Sequence, residues 1–198
     1  NQAFIPLSSI PKYLRDATIA IEDKDFYKHG AIDLRAILRS MISIVFRHEV
    51  QGGSTITQQL VKNSLLTPER TILRKIKEVI LSFATEAIYS KDKILEMYLN
   101  QVPYGGTVWG IEAASQSYFG KSAKDLNLAE SSLLAGLPES PTTYSPFGSH
   151  PELSYKRQKE VLENLLKQKY INTKDYENAL KQKLSFKKVE GIRAPHFA

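Results

Sequence analysis

The segment IEDKDFYKHG, residues 21–30, gathers a carboxylate, an aromatic ring and an imidazole into one short reach of chain. On a helix, Glu22, Phe26 and His29 fall at i, i+4 and i+7 and share a face. A ring beside the acid desolvates it and raises its pKa toward the range useful for proton transfer, which makes Glu22 a candidate acid or base. The same spacing describes the mixed-charge end of a surface helix, and on spacing alone that is the commoner case. The next stretch, QGGSTITQQLVKN (51–63), is dense in hydrogen-bonding groups. Thr55 and Gln58 match a capping box, which starts a helix there. Gly52 and Gly53 let backbone approach a ligand, and free N–H groups at a helix start suit phosphate. Thr55, Gln59 and Lys62 then share one face while Ile56 and Leu60 turn toward a core. A well-capped polar helix is the plainer reading, and the Walker A pattern is absent.

Two further helices add cations. In 70–90, Arg70, Arg74 and Glu78 recur at i, i+4 and i+8, opposite an apolar face of Ile72, Leu73, Ile76, Val79, Ile80 and Phe83. Arginine presents a planar fork matched to phosphate oxygens, although an Arg–Glu pair on a solvated face is worth only a few tenths of a kcal/mol. In 32–50, Arg35, Arg39 and Arg47 flank Leu34, Ile37, Leu38, Met41, Ile42 and Val45. Such a helix suits either a core edge or a membrane interface.

The elements that must position these groups read as helix after helix, punctuated by Gly and Pro. Pro11, with Ser8 and Ser9 as capping candidates, opens a helix bearing Ile10, Leu14, Ala17 and Ile21, ended by Gly30. Thr67-Pro68-Glu69 starts another, running to about Tyr89, and Ser90 and Asp92 start SKDKILEMYLN. After the loop QVPYGGTVWG come IEAASQSYFG, stopped by Gly120, and LAESSLLAGL, with a capping box of Asn127 and Glu130. The loop PESPTTYSP precedes two closing helices, ELSYKRQKEVLENLLKQK and TKDYENALKQK; LSFKKVE is the one strand candidate. The fold class is mainly α. The chain has no cysteine, which excludes thiol nucleophiles and Cys-based metal sites. A net charge of +6 favours anionic partners. No apolar run reaches the length of about 18 residues that would span a bilayer, and no signal peptide is visible.

EDKDFYKHG, GGSTITQQLVKN, RKIKE and KDKILEMYLN, in this order, resemble the signature motifs of the family 51 glycosyltransferases, and GIEAASQSYFGKSAKDLNLAESSLLAGLPESPTTYSP resembles the family's later region. These are the peptidoglycan glycosyltransferase (transglycosylase) domains of class A penicillin-binding proteins and of monofunctional transglycosylases. The resemblance covers almost the whole chain. One departure is visible: His29 is followed directly by Gly30, where the family usually has an intervening residue, which bears on the turn and not on Glu22.

The resemblance implies a single glycosyltransferase domain over 1–198, with a lysozyme-like helical head and a smaller membrane-facing jaw near 32–50. A transmembrane anchor and a possible transpeptidase domain are expected in the parent chain. It implies inverting polymerisation of lipid II into β-1,4-linked glycan, with release of undecaprenyl pyrophosphate, for bacterial cell wall synthesis. The growing lipid-linked chain is the donor and lipid II the acceptor. Glu22 is then the general base and Glu78 the donor-side acid, acting directly or through a divalent cation (Mg or Mn); no organic cofactor is implied. Substrate-binding roles fall on Asp23, Phe26, His29, Ser54, Thr55, Gln58, Gln59, Lys62, Asn63, Arg70, Arg74 and Lys75. The implied partners are lipid II, the lipid-linked glycan, an anionic membrane surface and moenomycin-type inhibitors, at the extracytoplasmic face of the bacterial cytoplasmic membrane. Two other readings stay open: a lysozyme-like glycan-cleaving enzyme with Glu22 as acid, and a non-catalytic membrane-binding module. The basic ridge argues against the first, since a cleaved glycan carries no pyrophosphate. Nothing resembles a nucleic-acid motif, so no nucleic-acid partner is expected.

Overall fold

A computed structural model describes residues 4–34, 53–67, 69 and 71–187 of the 198-residue chain. After a 3₁₀ turn at Leu7–Ser9, α1 spans Lys12–Glu22, α2 Ile56–Leu65, α3 Ile72–Ile88, α4 Lys91–Gln101 and α5 Ile111–Phe119. A second 3₁₀ turn at Ala123–Asp125 leads to α6 Leu128–Gly136, α7 Glu152–Lys167 and α8 Thr173–Lys181. Between α4 and α5, β1 (Pro103–Gly105) and β2 (Val108–Trp109) form a short antiparallel pair. The expected mainly α class stands. The expected jaw range falls almost wholly on residues 35–52, which lie outside the described residues.

α6 is the axis of the core. Every residue from Ala129 to Gly136 is buried, because Ala, Ser and Gly let neighbouring helices approach from several sides. At Gly136 an added Cβ would lie 2.8 Å from Arg157 Cγ of α7. α1 contributes Leu14 and Ala17, α4 contributes Ile94, Leu95, Tyr98 and Leu99, and α7 contributes Val161, Leu162 and Leu165 to the same core. The loop after β2 closes against α4 at Gly110, whose φ of +81° and approach to the Asn100 carbonyl (2.4 Å for an ideal Cβ) leave room only for glycine.

Several local expectations hold. The capping boxes of Thr55 with Gln58 and of Asn127 with Glu130 are both formed, Ser90 caps α4, and Gly120 ends α5 in the left-handed conformation. Others are corrected. α1 stops at Glu22 instead of running to Gly30, and residues 24–29 form turns. The Asp23 side chain leaves the helix to accept the Ile56 N–H of α2 (3.0 Å), which draws the chain away from the axis. Its first turn is opened by Pro11 with no side-chain cap, so Ser8 and Ser9 do not serve. α3 begins at Ile72 with Thr71 as cap, not at Thr67-Pro68-Glu69. LSFKKVE is irregular over 184–187, where Phe186 stacks on Phe119 and Lys187 N–H donates to the Tyr118 carbonyl at 2.9 Å.

α3 is turned with its polar side inward. Its buried residues are Glu78 and Ser82, while Ile72, Leu73, Ile76, Ile80 and Phe83 are 50–83% exposed. The polar side packs inward because it finds partners there. Glu86 accepts from Thr57 Oγ1 of α2 (2.5 Å) and pairs with Lys91 Nζ (2.7 Å), and Lys75 Nζ donates to Ser54 Oγ (3.2 Å).

Candidate active site

Glu22 is the last residue of α1, directed at α2. Its Oε2 accepts from Gln59 Nε2 at 2.8 Å, and Gln59 Oε1 in turn accepts from the Tyr98 hydroxyl of α4 at 3.2 Å. The residue as a whole is partly exposed, yet Oε1 is sealed from solvent and has no hydrogen-bond partner. Burial raises the Glu22 pKa above the ordinary carboxylate value; the Gln59 hydrogen bond, Arg157 and Lys62 oppose the rise, and Glu139 adds to it. Burial and the nearby Glu22 charge push the Tyr98 and Tyr104 hydroxyls up, so both stay neutral donors. A carboxylate whose pKa is raised by burial is a stronger proton acceptor than an ordinary one.

Asp23 faces elsewhere. Its Oδ1 lies 2.6 Å from His29 Nε2 and its Oδ2 accepts the Ile56 N–H, while His29 Nδ1 lies 2.6 Å from the Gly30 carbonyl. Burial raises the Asp23 pKa, with the His29 and Ile56 hydrogen bonds opposing. Phe26 is fully buried with Lys91 Nζ 4.5 Å from its ring centroid, and does not share a helical face with Glu22. Asp23, His29 and Asp33 place possible ligand atoms within 4.8 Å of one another. Asp23 and His29 already spend these atoms on each other and on backbone, so this pair braces the turn to α2.

The hydrogen-bonding groups that made 51–63 conspicuous divide in two. Thr55 and Gln58 are buried and cap their own helix, and Thr55 Oγ1 also donates to the Ala31 carbonyl at 2.9 Å. Gln59, Lys62 and Asn63 retain exposure, with Lys62 the most open. The second cluster sits on the inner side of α3. Glu78, 1% exposed, holds Arg74 Nη1 at 2.9 Å and Lys75 Nζ, and Lys75 reaches Ser54 on the approach to α2. Arg74 Nε is buried without a partner. Both Glu78 oxygens accept from cations, so this carboxylate does not fit a divalent ion as it stands. Arg70 lies outside the described residues. A cavity of about 210 Å³ at the α2–α3 junction is lined by Leu65, Leu66, Leu73, Arg74 and Lys77, among others.

The geometry adds groups that spacing did not single out. Arg157 Nη2 pairs with Glu139 at 2.7 Å and Nη1 with Glu160 at 3.0 Å, and its guanidinium lies 5.4 Å from the Tyr144 ring centroid. Arg157 and Glu139 bear on Glu22 with opposite signs. In sequence Arg157 is one cation among many in its helix. Tyr98 reads as one more core position beside Leu95 and Leu99.

The Transglycosylase family model matches residues 1–166. The chain is similar to penicillin-binding protein 1F of Bacillus subtilis (strain 168), 47% identical over 176 residues, covering 88% of this chain and 24% of the relative. It is similar to penicillin-binding protein 1A of Aquifex aeolicus (strain VF5), 46% identical over 187 residues, covering 93% and 26%. Among solved structures, penicillin-binding protein 1A from Haemophilus influenzae superposes with a TM-score of 0.59 at 27% identity, over 96% of this chain and 19% of that one. The chain therefore spans about a quarter of the length of these curated relatives.

Proposed function

The chain belongs to the transglycosylase family, and from that premise we propose that it polymerises lipid II into β-1,4-linked glycan strands with release of undecaprenyl pyrophosphate. The observation that carries the chemistry is the half-buried Glu22 carboxylate at the end of α1, its pKa raised by burial and its Oε2 held by the Gln59 amide. In this reading the Glu22 carboxylate removes the proton from the acceptor sugar hydroxyl as that oxygen bonds to the donor anomeric carbon. The bond from that carbon to the pyrophosphate oxygen breaks, and its electron pair leaves with the phosphate. Charge grows on the leaving group in the transition state, so fixed cations act when they are needed. Lys62, Arg74 and Lys75 are the described cations available to it, with Arg70 as a fourth by sequence. Glu78 holds Arg74 and Lys75 in place. Inversion follows from a single displacement: Asp23, the neighbouring carboxylate, has both oxygens engaged and offers no second nucleophile.

The exposed side of α3 supports a membrane-bound setting. Five large apolar side chains on one face, with Lys77 exposed beside them, suit the headgroup region of an anionic bilayer. Among the described residues no helix is long and apolar enough to cross one. The place of action in this reading is the extracytoplasmic face of the bacterial cytoplasmic membrane, and moenomycin-type phosphoglycolipids would compete on the cationic side. The test is incubation of wild type and Glu22→Gln with purified lipid II, separating products by size. Wild type gives polymer, and E22Q loses about 10²- to 10⁴-fold in rate. Polymerisation by E22Q at the wild-type rate refutes the base assignment.

A further inference from the structure

Tyr98 is the unexplained group of the core. It is fully buried on α4 between aliphatic neighbours, where a phenylalanine would fill the same space without burying a hydroxyl. Its partner is the side-chain carbonyl of Gln59 at 3.2 Å, and the other end of that amide donates to Glu22 Oε2 at 2.8 Å. The two ends of an amide are not equivalent. An ionised carboxylate only accepts, so the NH₂ end must face Glu22 for the charged form to be favoured. The carbonyl end then needs a donor inside the core, and the Tyr98 hydroxyl supplies it.

We infer that Tyr98 is a positioning residue for the transfer reaction: its hydroxyl locks the Gln59 amide with the N–H toward Glu22 Oε2, which favours the ionised carboxylate that takes the acceptor's proton. The inference rests on Glu22 being the base. Without the hydroxyl, the Gln59 carbonyl loses its partner and the amide is free to turn. A carbonyl facing Glu22 accepts a hydrogen bond from the acid form and so holds Glu22 in the state that cannot act as base. Among the described residues, the other charged or titratable groups around Glu22 are Asp23, Lys62, Tyr104, Glu139, Tyr144 and Arg157, and all of them remain when the relay is cut.

The experiment is the pH profile of kcat/KM for lipid II polymerisation, in wild type, Tyr98→Phe and Gln59→Met. In Y98F the acidic limb moves to higher pH by roughly half to one unit, so the rate loss is about three- to tenfold below the limb and less than about twofold on the alkaline plateau. Q59M, which cuts the same relay one link nearer the acid, moves the limb the same way, and adding Y98F to Q59M moves it no further. A purely structural role for Tyr98 gives a uniform loss with an unmoved limb, and that result overturns the inference. If Y98F does not fold, Q59M alone decides: an unmoved limb again overturns it. E22Q separates the two claims. An active E22Q sinks the base reading, whereas an inactive E22Q with unmoved limbs in Y98F and Q59M sinks the relay alone.

Discussion

Replacing Glu22 by Gln should make the folded chain more stable while it removes activity. The reason lies in the site's electrostatics. Glu22 Oε1 is shut away from water with no partner, and burial outweighs the Gln59 hydrogen bond and the Arg157 and Lys62 charges in setting its pKa. A folded-state pKa raised above the unfolded value of 4.5 means that ionisation costs stability. The cost is absent below the unfolded value, grows as pH rises through the folded pKa, and is complete above it. A buried polar group left unmade costs about 1–3 kcal/mol, and a charged one more. Glutamine leaves one neutral amide group at the same place and exchanges a charge-assisted bond to Gln59 for an ordinary one, which returns about 1 kcal/mol of that. The net gain is then about 1–2 kcal/mol. For a chain of this size each kcal/mol moves Tm by about 2–4 °C, so E22Q should melt about 2–8 °C higher at pH 8. Thermal unfolding from pH 5 to 8.5, followed by calorimetry, is the assay. The gap between variant and wild type should widen with pH. Asp23 has a raised pKa of the same sign, but it is common to both proteins and cancels. An E22Q that is no more stable at pH 8, or whose gain is the same at every pH, refutes the reasoning.

Glu78→Gln should behave in the opposite way. Its carboxylate is buried and paired with Arg74 and Lys75, so the amide leaves a cation without its partner. Lys75 is about half exposed, which discounts the loss to about 1–3 kcal/mol. Tm should fall and lipid II turnover with it; a variant as stable as wild type would show that the cluster does not hold α3. On the outer side of α3, Ile80→Asp should leave Tm within about 1 °C, because Ile80 is 61% exposed. Removing an apolar group worth about 1.5–3 kcal/mol from a lipid contact should weaken sedimentation with phosphatidylglycerol vesicles about tenfold or more. Vesicle binding equal to wild type would remove this face from the membrane contact.

The residues legible in sequence were those whose role is set within a few positions of chain. Capping boxes at Thr55 and Asn127 and the glycine stop at Gly120 are local hydrogen-bond and dihedral facts, and the fold obeys them. What misled was periodicity read without partners. The i, i+4, i+7 spacing of Glu22, Phe26 and His29 presumes a helix that Asp23 ends by bonding a residue 33 positions away. Ser54 contacts Lys75 across 21 positions and Tyr98 contacts Gln59 across 39, so neither pairing leaves a mark in any local window. Glu22 and Gln59 were singled out separately, but their contact was not derivable.

α3 shows why amphipathicity alone does not say which side of a helix is inside. A stripe of Ile, Leu and Phe turns inward only where no stronger competitor exists for the interior position. Here the competitor is Glu78. A carboxylate with two cations in reach loses little on burial, since Arg74 and Lys75 replace the water it gives up, and Lys75 in turn donates to Ser54. The same inversion frees the apolar side. One helix thereby carries the cations proposed for a pyrophosphate on one face and the surface proposed for lipid on the other. A substrate that is a sugar pyrophosphate at one end and a polyprenyl chain at the other needs both within the length of its own linkage. Rotating α3 to bury its isoleucines would remove both at once, which is why the outward apolar stripe and the inward Glu78 cluster are one structural choice.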